Sequence, residues 1–156
     1  MRFSFRLKHY FFSAFREFFV HHHGSLEFRA KLFALVIAAN EKAKVENFII
    51  VKNKGLEIYD GDEDRANLLM ISTKELVQKV RDNNDLDIDS LIFAIQKELK
   101  IVPRYAHKID IEALQPIVDL TYDMDTVAYQ ENILEFLQST KDEILNSKQT
   151  EITKEN

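Results

Sequence analysis

The chain has 156 residues, of which 46% are hydrophobic and 30% are charged, values that suit a single globular domain. With only 3 Gly and 2 Pro, it lacks the turn residues of a β-sandwich or barrel, which favours helices joined by short polar loops. The absence of Cys excludes disulfides, cysteine-ligated zinc and thiol catalysis, and the net charge of −5 argues against nucleic acid as a partner.

The N-terminal segment is rich in aromatic residues, since residues 1–20 hold seven of the 12 Phe. Their spacing predicts an amphipathic helix over residues 3–19, ended by Gly24, with Ser25 capping the next helix. Its apolar side chains can be buried against the chain's own core, against a partner protein or second copy, or in an anionic lipid surface. We favour the chain's own core. The residues expected to contact a partner or membrane are Phe3, Arg6, Leu7, Tyr10, Phe11, Phe15 and Phe18.

Six further helices are predicted after residue 25. The first is apolar on nearly all sides, which is typical of a central buried helix. In the second, we expect Phe48, Ile49 and Val51 to face inward, while Gly55 interrupts the helical pattern. The six helices are expected at residues 26–39, 45–59, 63–81, 88–101, 109–122 and 126–145.

Acidic residues and prolines separate these helices. Carboxylates within residues 60–64, and Asp87 further on, are positioned to cap the third and fourth of them. Pro103 breaks the chain or opens a further turn, and Pro116 either kinks its helix or lies near its true start. The end of the chain is polar and is expected to be disordered. The organisation is therefore an N-terminal helix and linker, a helical domain and a polar tail, at residues 1–25, 26–146 and 147–156.

Two stretches of the sequence echo each other, residues 32–50 and 114–137. Each is predicted to form an apolar helix, a short polar connection and a second amphipathic helix. In both, an Asn or Asp precedes a Glu by six residues, at Asn40 and Asp125. We therefore predict an all-α, compact bundle of six to seven helices that contains two helix-pair pseudo-repeats.

This layout resembles the TerB-like family, the tellurite-resistance helical domain that also occurs in membrane-anchored DnaJ-like co-chaperones. Members of that family carry two helix pairs, each with a turn similar to A-D-G-x-I-x-x-x-E. The resemblance covers residues 26–143, and both turns lack the usual Gly. It implies a stand-alone interaction module, of the kind associated with stress response and membrane-linked assemblies. The matching residues are Ala39, Asn40 and Glu46 in the first turn, and Asp123 or Asp125 and Glu131 in the second.

The second turn also contains the best candidate for a metal site. Asp123, Asp125 and Glu131 offer oxygen ligands that could converge on a divalent cation such as Ca²⁺, although we expect binding to be weak or absent. In the alternative interpretation, Asp125 caps the last helix and Glu131 is exposed or bonds the neighbouring loop. No other cofactor is expected.

The sequence lacks the common catalytic motifs, including the P-loop, the dinucleotide-binding glycine pattern and the zinc-protease helix. We therefore expect a non-enzymatic TerB-like interaction module that binds a protein partner or a second copy of itself. We expect the protein to be located in the cytoplasm. In an alternative interpretation it is a peripheral membrane protein that binds the inner face of the membrane through its aromatic N-terminal helix. A metal-dependent enzyme is the third alternative and the least favoured.

Overall fold

The computed structural model describes residues 24–82 and 86–155, and all regular structure in these ranges is helical. The predicted all-α, compact bundle is confirmed. The helix predicted over residues 3–19 lies outside the described residues. The elements in chain order are α1 (Gly24–Ala38), α2 (Val45–Ile58), α3 (Glu63–Arg81), α4 (Ile88–Ile101), a 3₁₀ helix (Pro103–Lys108), α5 (Ile111–Asp119) and α6 (Met124–Glu155).

Helix α1 is the centre of the bundle, as its apolar sequence predicts. It contacts α3, α4, the 3₁₀ helix, α5 and α6, so every side of it meets another element. A helix with an apolar surface on all sides is stable in water only when its neighbours enclose it. Nine of its 15 residues are buried: Leu26, Phe28, Ala30, Leu32, Phe33, Ala34, Leu35, Val36 and Ile37.

Helices α2 and α3 cross at close range because Gly55 has no side chain. A Cβ atom at Gly55 would lie 2.9 Å from the Cα atom of Ala66, which is too close for any other residue. The turn between the helices uses left-handed backbone at Asp60 and Gly61. Asp62 then caps α3 by accepting a hydrogen bond from the Arg65 amide at 3.1 Å, which confirms the capping role predicted for residues 60–64.

Three expectations about single residues in the first half of the chain are wrong or need refinement. Gly24 and Ser25 are not a helix end and a cap, because both lie inside the first turn of α1. Ile49 is half exposed, whereas Val51 is fully buried and Phe48 is partly buried. The inward face of α2 is therefore set by Asn47, Val51 and Gly55, which recur every four residues.

The second half differs from prediction mainly in its helix ends. Pro103 opens a 3₁₀ helix, and Asp110 caps α5 through the Ala113 amide, so α5 is shorter than expected. Pro116 lies inside α5.

The polar tail expected to be disordered is instead helical through Glu155. The reason is local: residues 146–155 contain neither Gly nor Pro, so nothing in the sequence ends the helix.

Candidate interaction surface at the junction of two turns

Two polar turns meet at one end of the bundle. The first turn, residues 39–44, joins α1 to α2, and the second, residues 120–123, joins α5 to α6. The Asn40 side-chain amide donates to the Thr121 hydroxyl at 3.4 Å, and the Lys44 ammonium lies 4.7 Å from the centre of the Tyr122 ring. The two similar segments, residues 32–50 and 114–137, are both helix–turn–helix units, and their helices share one hydrophobic core.

The two units differ in how their helices pack. Helix α5 packs directly against α6, whereas α2 packs most closely against α3 and also contacts α5. The contact between α2 and α5 is what brings the two turns side by side. The resemblance between the units therefore lies in their order of elements and shared core, while their helix packing is distinct.

Gln130 fixes the junction from inside the protein. This residue is fully buried on α6, where its side-chain amide donates to the carbonyl of Val36 at 2.9 Å and its oxygen accepts from the Thr121 hydroxyl at 2.8 Å. At the end of α1 the backbone N–H of Asn40 donates to the carbonyl of Ile37 and not to that of Val36. Gln130 therefore supplies a hydrogen-bond donor to the Val36 carbonyl, which has no partner within the helix. The two turns are thus connected through a buried polar network.

Gln130 is not among the functional residues predicted from the sequence, although its position on α6 indicates a buried role. Gln130 lies three, four and seven residues before the buried Ile133, Leu134 and Leu137, so it occupies the inward stripe of α6. A polar residue on such a stripe requires a buried hydrogen-bond partner. The pattern could have predicted a buried amide, but the partner, Val36, is 94 residues away in the chain.

The acidic residues of the second turn have separate roles. Asp123 caps α6, since its carboxylate accepts from the Thr126 hydroxyl at 2.6 Å and from the Thr126 amide at 2.9 Å. Both hydrogen bonds lower the pKa of Asp123 below its usual value, and the bond from the Thr126 hydroxyl has the larger effect. The positive charge of Lys42 lowers the pKa further, by a smaller amount. The capping role expected of Asp125 therefore belongs to Asp123. The carboxyl group of Asp123 is therefore ionised at neutral pH, and the Thr126 hydrogen bonds fix its orientation.

The structure does not gather the predicted metal ligands. Asp125 and Glu131 are both exposed on α6, and Asp123 is engaged by Thr126. Within residues 24–82 and 86–155, no group of three or more His, Cys, Asp or Glu side chains is placed to hold a metal ion. Binding of a divalent cation at Asp123, Asp125 and Glu131 stays a prediction, with no preformed cage to support it.

Four exposed large apolar side chains lie in the second turn or in the first two turns of the helices that follow the two turns. Val45 and Ile49 are one turn apart on α2, and Val45 adjoins Lys44, whose ammonium lies over Tyr122. Their exposed fractions are 73% for Val45, 51% for Ile49, 86% for Tyr122 and 80% for Met124. We call these four residues the junction patch. Exposed apolar residues that cluster, in contrast to scattered ones, mark interaction sites on soluble proteins.

The chain matches no protein-family model, no curated protein and no solved structure in comparisons with known proteins. The resemblance to TerB-like proteins therefore stays a prediction that rests on the two turns. No helix within the described ranges is both long and apolar enough to cross a lipid bilayer. The contacts predicted for the N-terminal segment lie outside the described residues; these are Phe3, Arg6, Leu7, Tyr10, Phe11, Phe15 and Phe18.

Proposed function

We propose that this chain is a non-enzymatic interaction module, of TerB-like type, that binds a partner protein through the junction patch. The observation that carries the proposal is the exposure of four large apolar side chains around a turn pair fixed by internal hydrogen bonds. Such a surface is preorganised, so a partner does not have to order it on binding. As part of the same proposal, the protein is located in the cytoplasm and acts in stress response or in a membrane-linked assembly.

The charges near the patch define the chemistry of the partner. Acidic residues outnumber basic ones beside the patch: the two turns and the helix starts that follow them contain Glu41, Glu46, Asp123 and Asp125 against Lys42 and Lys44. A complementary ligand therefore has an apolar face flanked by basic side chains. An amphipathic helix of another protein, with Lys or Arg beside its apolar stripe, meets both conditions.

Site-specific photocrosslinking tests this proposal. Benzoylphenylalanine replaces Tyr122 in one form of the full chain and Ile152 in another, because both residues are exposed and apolar but only Tyr122 belongs to the junction patch. We expect one protein to be crosslinked from position 122 only. That protein, purified, should bind the full chain in calorimetry and lose most of its affinity when Val45→Glu is introduced.

Two results would contradict the proposal. One is equal crosslinking from both positions, which would indicate unspecific contact. The other is unchanged affinity of the purified partner for the Val45→Glu and Met124→Glu variants. Circular dichroism of each variant serves as the folding control, because both side chains are exposed and their replacement should leave the helices intact.

Peripheral membrane binding is the second candidate function, and it rests on a sequence observation. Residues 1–23 contain four basic residues and one acidic residue beside the seven Phe, a composition that suits anionic lipid. Co-sedimentation with vesicles of phosphatidylserine and phosphatidylcholine tests it. Binding that is lost when Arg2, Arg6 and Lys8 are all replaced by Ala would support it, and sedimentation no greater than that of phosphatidylcholine vesicles would refute it.

A further inference from the structure

A long open groove lies between α4 and α6, away from the junction patch. The 3₁₀ helix contacts both helices and closes one end of the groove. The groove encloses about 770 Å³. Its α4 wall includes Phe93, Lys97 and Lys100, and its α6 wall includes Phe136, Ile144 and Lys148. The lining residues are three or four positions apart on α4 and four or eight positions apart on α6, so each set lies along one face of its helix. Two such helix faces side by side form a groove of the kind into which a third helix can pack.

Apolar surface in this groove is uncovered among the described residues. Phe93 is 67% exposed, although it belongs to a helix whose opposite face is buried against the core. Phe136 and Ile144 are only partly buried, and they pack on the edge of the same core. Exposure of a Phe beside two further apolar residues is costly in water and makes the groove a candidate docking surface.

Gly24, the first described residue of α1, lies beside the 3₁₀ helix that closes one end of the groove. Gly24 lies against Tyr105 of the 3₁₀ helix, so closely that a Cβ atom there would be 2.6 Å from the Tyr105 hydroxyl. Tyr105 is itself held by the Phe28 ring, at 5.3 Å between ring centres. Pro103 of the same 3₁₀ helix lines the groove. The 3₁₀ helix therefore contacts Gly24 through Tyr105 and the groove through Pro103.

The length of the segment also fits the groove. A helix over residues 3–19 would be about 25 Å long, and the α6 wall from Phe136 to Glu151 extends for about 22 Å, at roughly 1.5 Å per residue. The groove lining is of mixed charge, with Lys97, Lys100 and Lys148 beside Glu143 and Glu151. Residues 1–23 hold four basic residues and one acidic residue, so Glu143 and Glu151 are the groove side chains that can pair with them. Lys97 and Lys100 lie on the α4 wall, so the basic side chains should be directed toward α6.

We propose that the aromatic segment, residues 3–19, docks as a helix in the α4–α6 groove of its own chain. The segment covers Phe93 and Phe136, and it supports the part of α6 that extends past the core. The proposal is independent of the junction patch, which lies at the two turns. It also makes the aromatic segment a component of the folded domain and not a free membrane anchor.

The composition of the chain allows a clean test in the full-length protein, because it contains no Trp. Phe93→Trp introduces a single fluorophore in the groove, and Tyr122→Trp introduces one in the junction patch as a matched exposed control. If the segment covers the groove, Trp at position 93 should emit at shorter wavelength and be quenched by acrylamide several-fold less than Trp at position 122. Addition of Phe11→Glu and Phe15→Glu should abolish that protection.

A second measurement avoids variants that fold poorly. Because the chain has no Cys, Phe11→Cys can be paired with Ser139→Cys or with Ser147→Cys, both in the groove, and with Ile49→Cys as the control. Under mild oxidation we expect an intramolecular disulfide with at least one groove position and none with position 49.

Several outcomes would overturn the proposal. Equal quenching at positions 93 and 122 would show that the groove is open. Protection that depends on protein concentration would assign the groove to a second copy, and protection that appears only with anionic vesicles would assign the segment to lipid. Protection that survives Phe11→Glu and Phe15→Glu, together with the absence of a groove disulfide, would exclude the segment as the occupant.

Discussion

Helices α1 and α6 represent two ways of using a helix in the same bundle. Nine of the 15 residues of α1 are buried, whereas only four of the 32 residues of α6 are. The buried residues of α6 all lie between Gln130 and Leu137, and the remaining residues of the helix are partly buried or exposed. We infer that α1 supplies most of the packing that holds the fold together, while α6 presents surfaces for other contacts.

The largest expected effect tests this difference directly. Leu35→Ala in α1 should lower the free energy of unfolding by about 2–5 kcal/mol, because it removes a fully buried side chain and leaves a cavity. Leu145→Ala in α6 is the matched control, since Leu145 is only partly buried at the edge of the core. Urea denaturation measures both. Equal losses from the two substitutions would refute the assignment of core packing mainly to α1.

The sequence predicted α1 well for a physical reason. A helix with apolar residues on every side has only one stable environment, so composition alone indicates its central position. Helix α3 was predicted with its bounds intact because Asp62 marks its start and accepts the Arg65 amide. In such cases the local sequence and the tertiary environment demand the same structure.

The sequence was less informative about α6 and the candidate surface. Polar residues after 146 suggested disorder, yet they include neither Gly nor Pro, so they continue a helix once the core has started it. The inward direction predicted for Ile49 was wrong because the close approach at Gly55 rotates the other face of α2 toward α3. The junction itself depends on contacts between residues about 80 to 90 positions apart, such as Asn40 with Thr121, which no local pattern encodes.

The next largest effect concerns the point where α1 and α6 are joined by hydrogen bonds. Gln130→Ala removes the partner of the Val36 carbonyl and of the Thr121 hydroxyl, and leaves polar atoms without partners in the interior. We expect a loss of about 1–3 kcal/mol in urea denaturation. Gln138→Ala is the control, because Gln138 bonds Asp142 on the exposed surface. If both variants unfold at the same urea concentration, the buried network does not stabilise the junction.

A smaller effect is expected at the start of α6, where Asp123 is the cap. Asp123→Ala should lower the thermal midpoint, whereas Asp125→Ala should change it less, because only Asp123 accepts from Thr126. Hydrogen bonds from Thr126 lower the pKa of Asp123, so its contribution is complete above the usual value of 3.8 and is lost as the pH falls through the lower, folded-state value. Differential scanning calorimetry from pH 7 to pH 2 checks this. A difference between wild type and Asp123→Ala that grows toward low pH would have the wrong sign.

The smallest effect on stability separates the two exposed regions of α6. Met124→Ser and Ile152→Ser each replace an exposed apolar side chain, so each should change the free energy of unfolding by no more than about 0.5 kcal/mol. Their effects on binding should differ, because Met124 belongs to the junction patch and Ile152 lies near the far end of α6. In calorimetry with the partner identified by crosslinking, Met124→Ser should weaken binding and Ile152→Ser should leave it unchanged. The opposite order would move the interaction surface from the junction of the turns to the end of α6, and would make the extension of that helix the functional element.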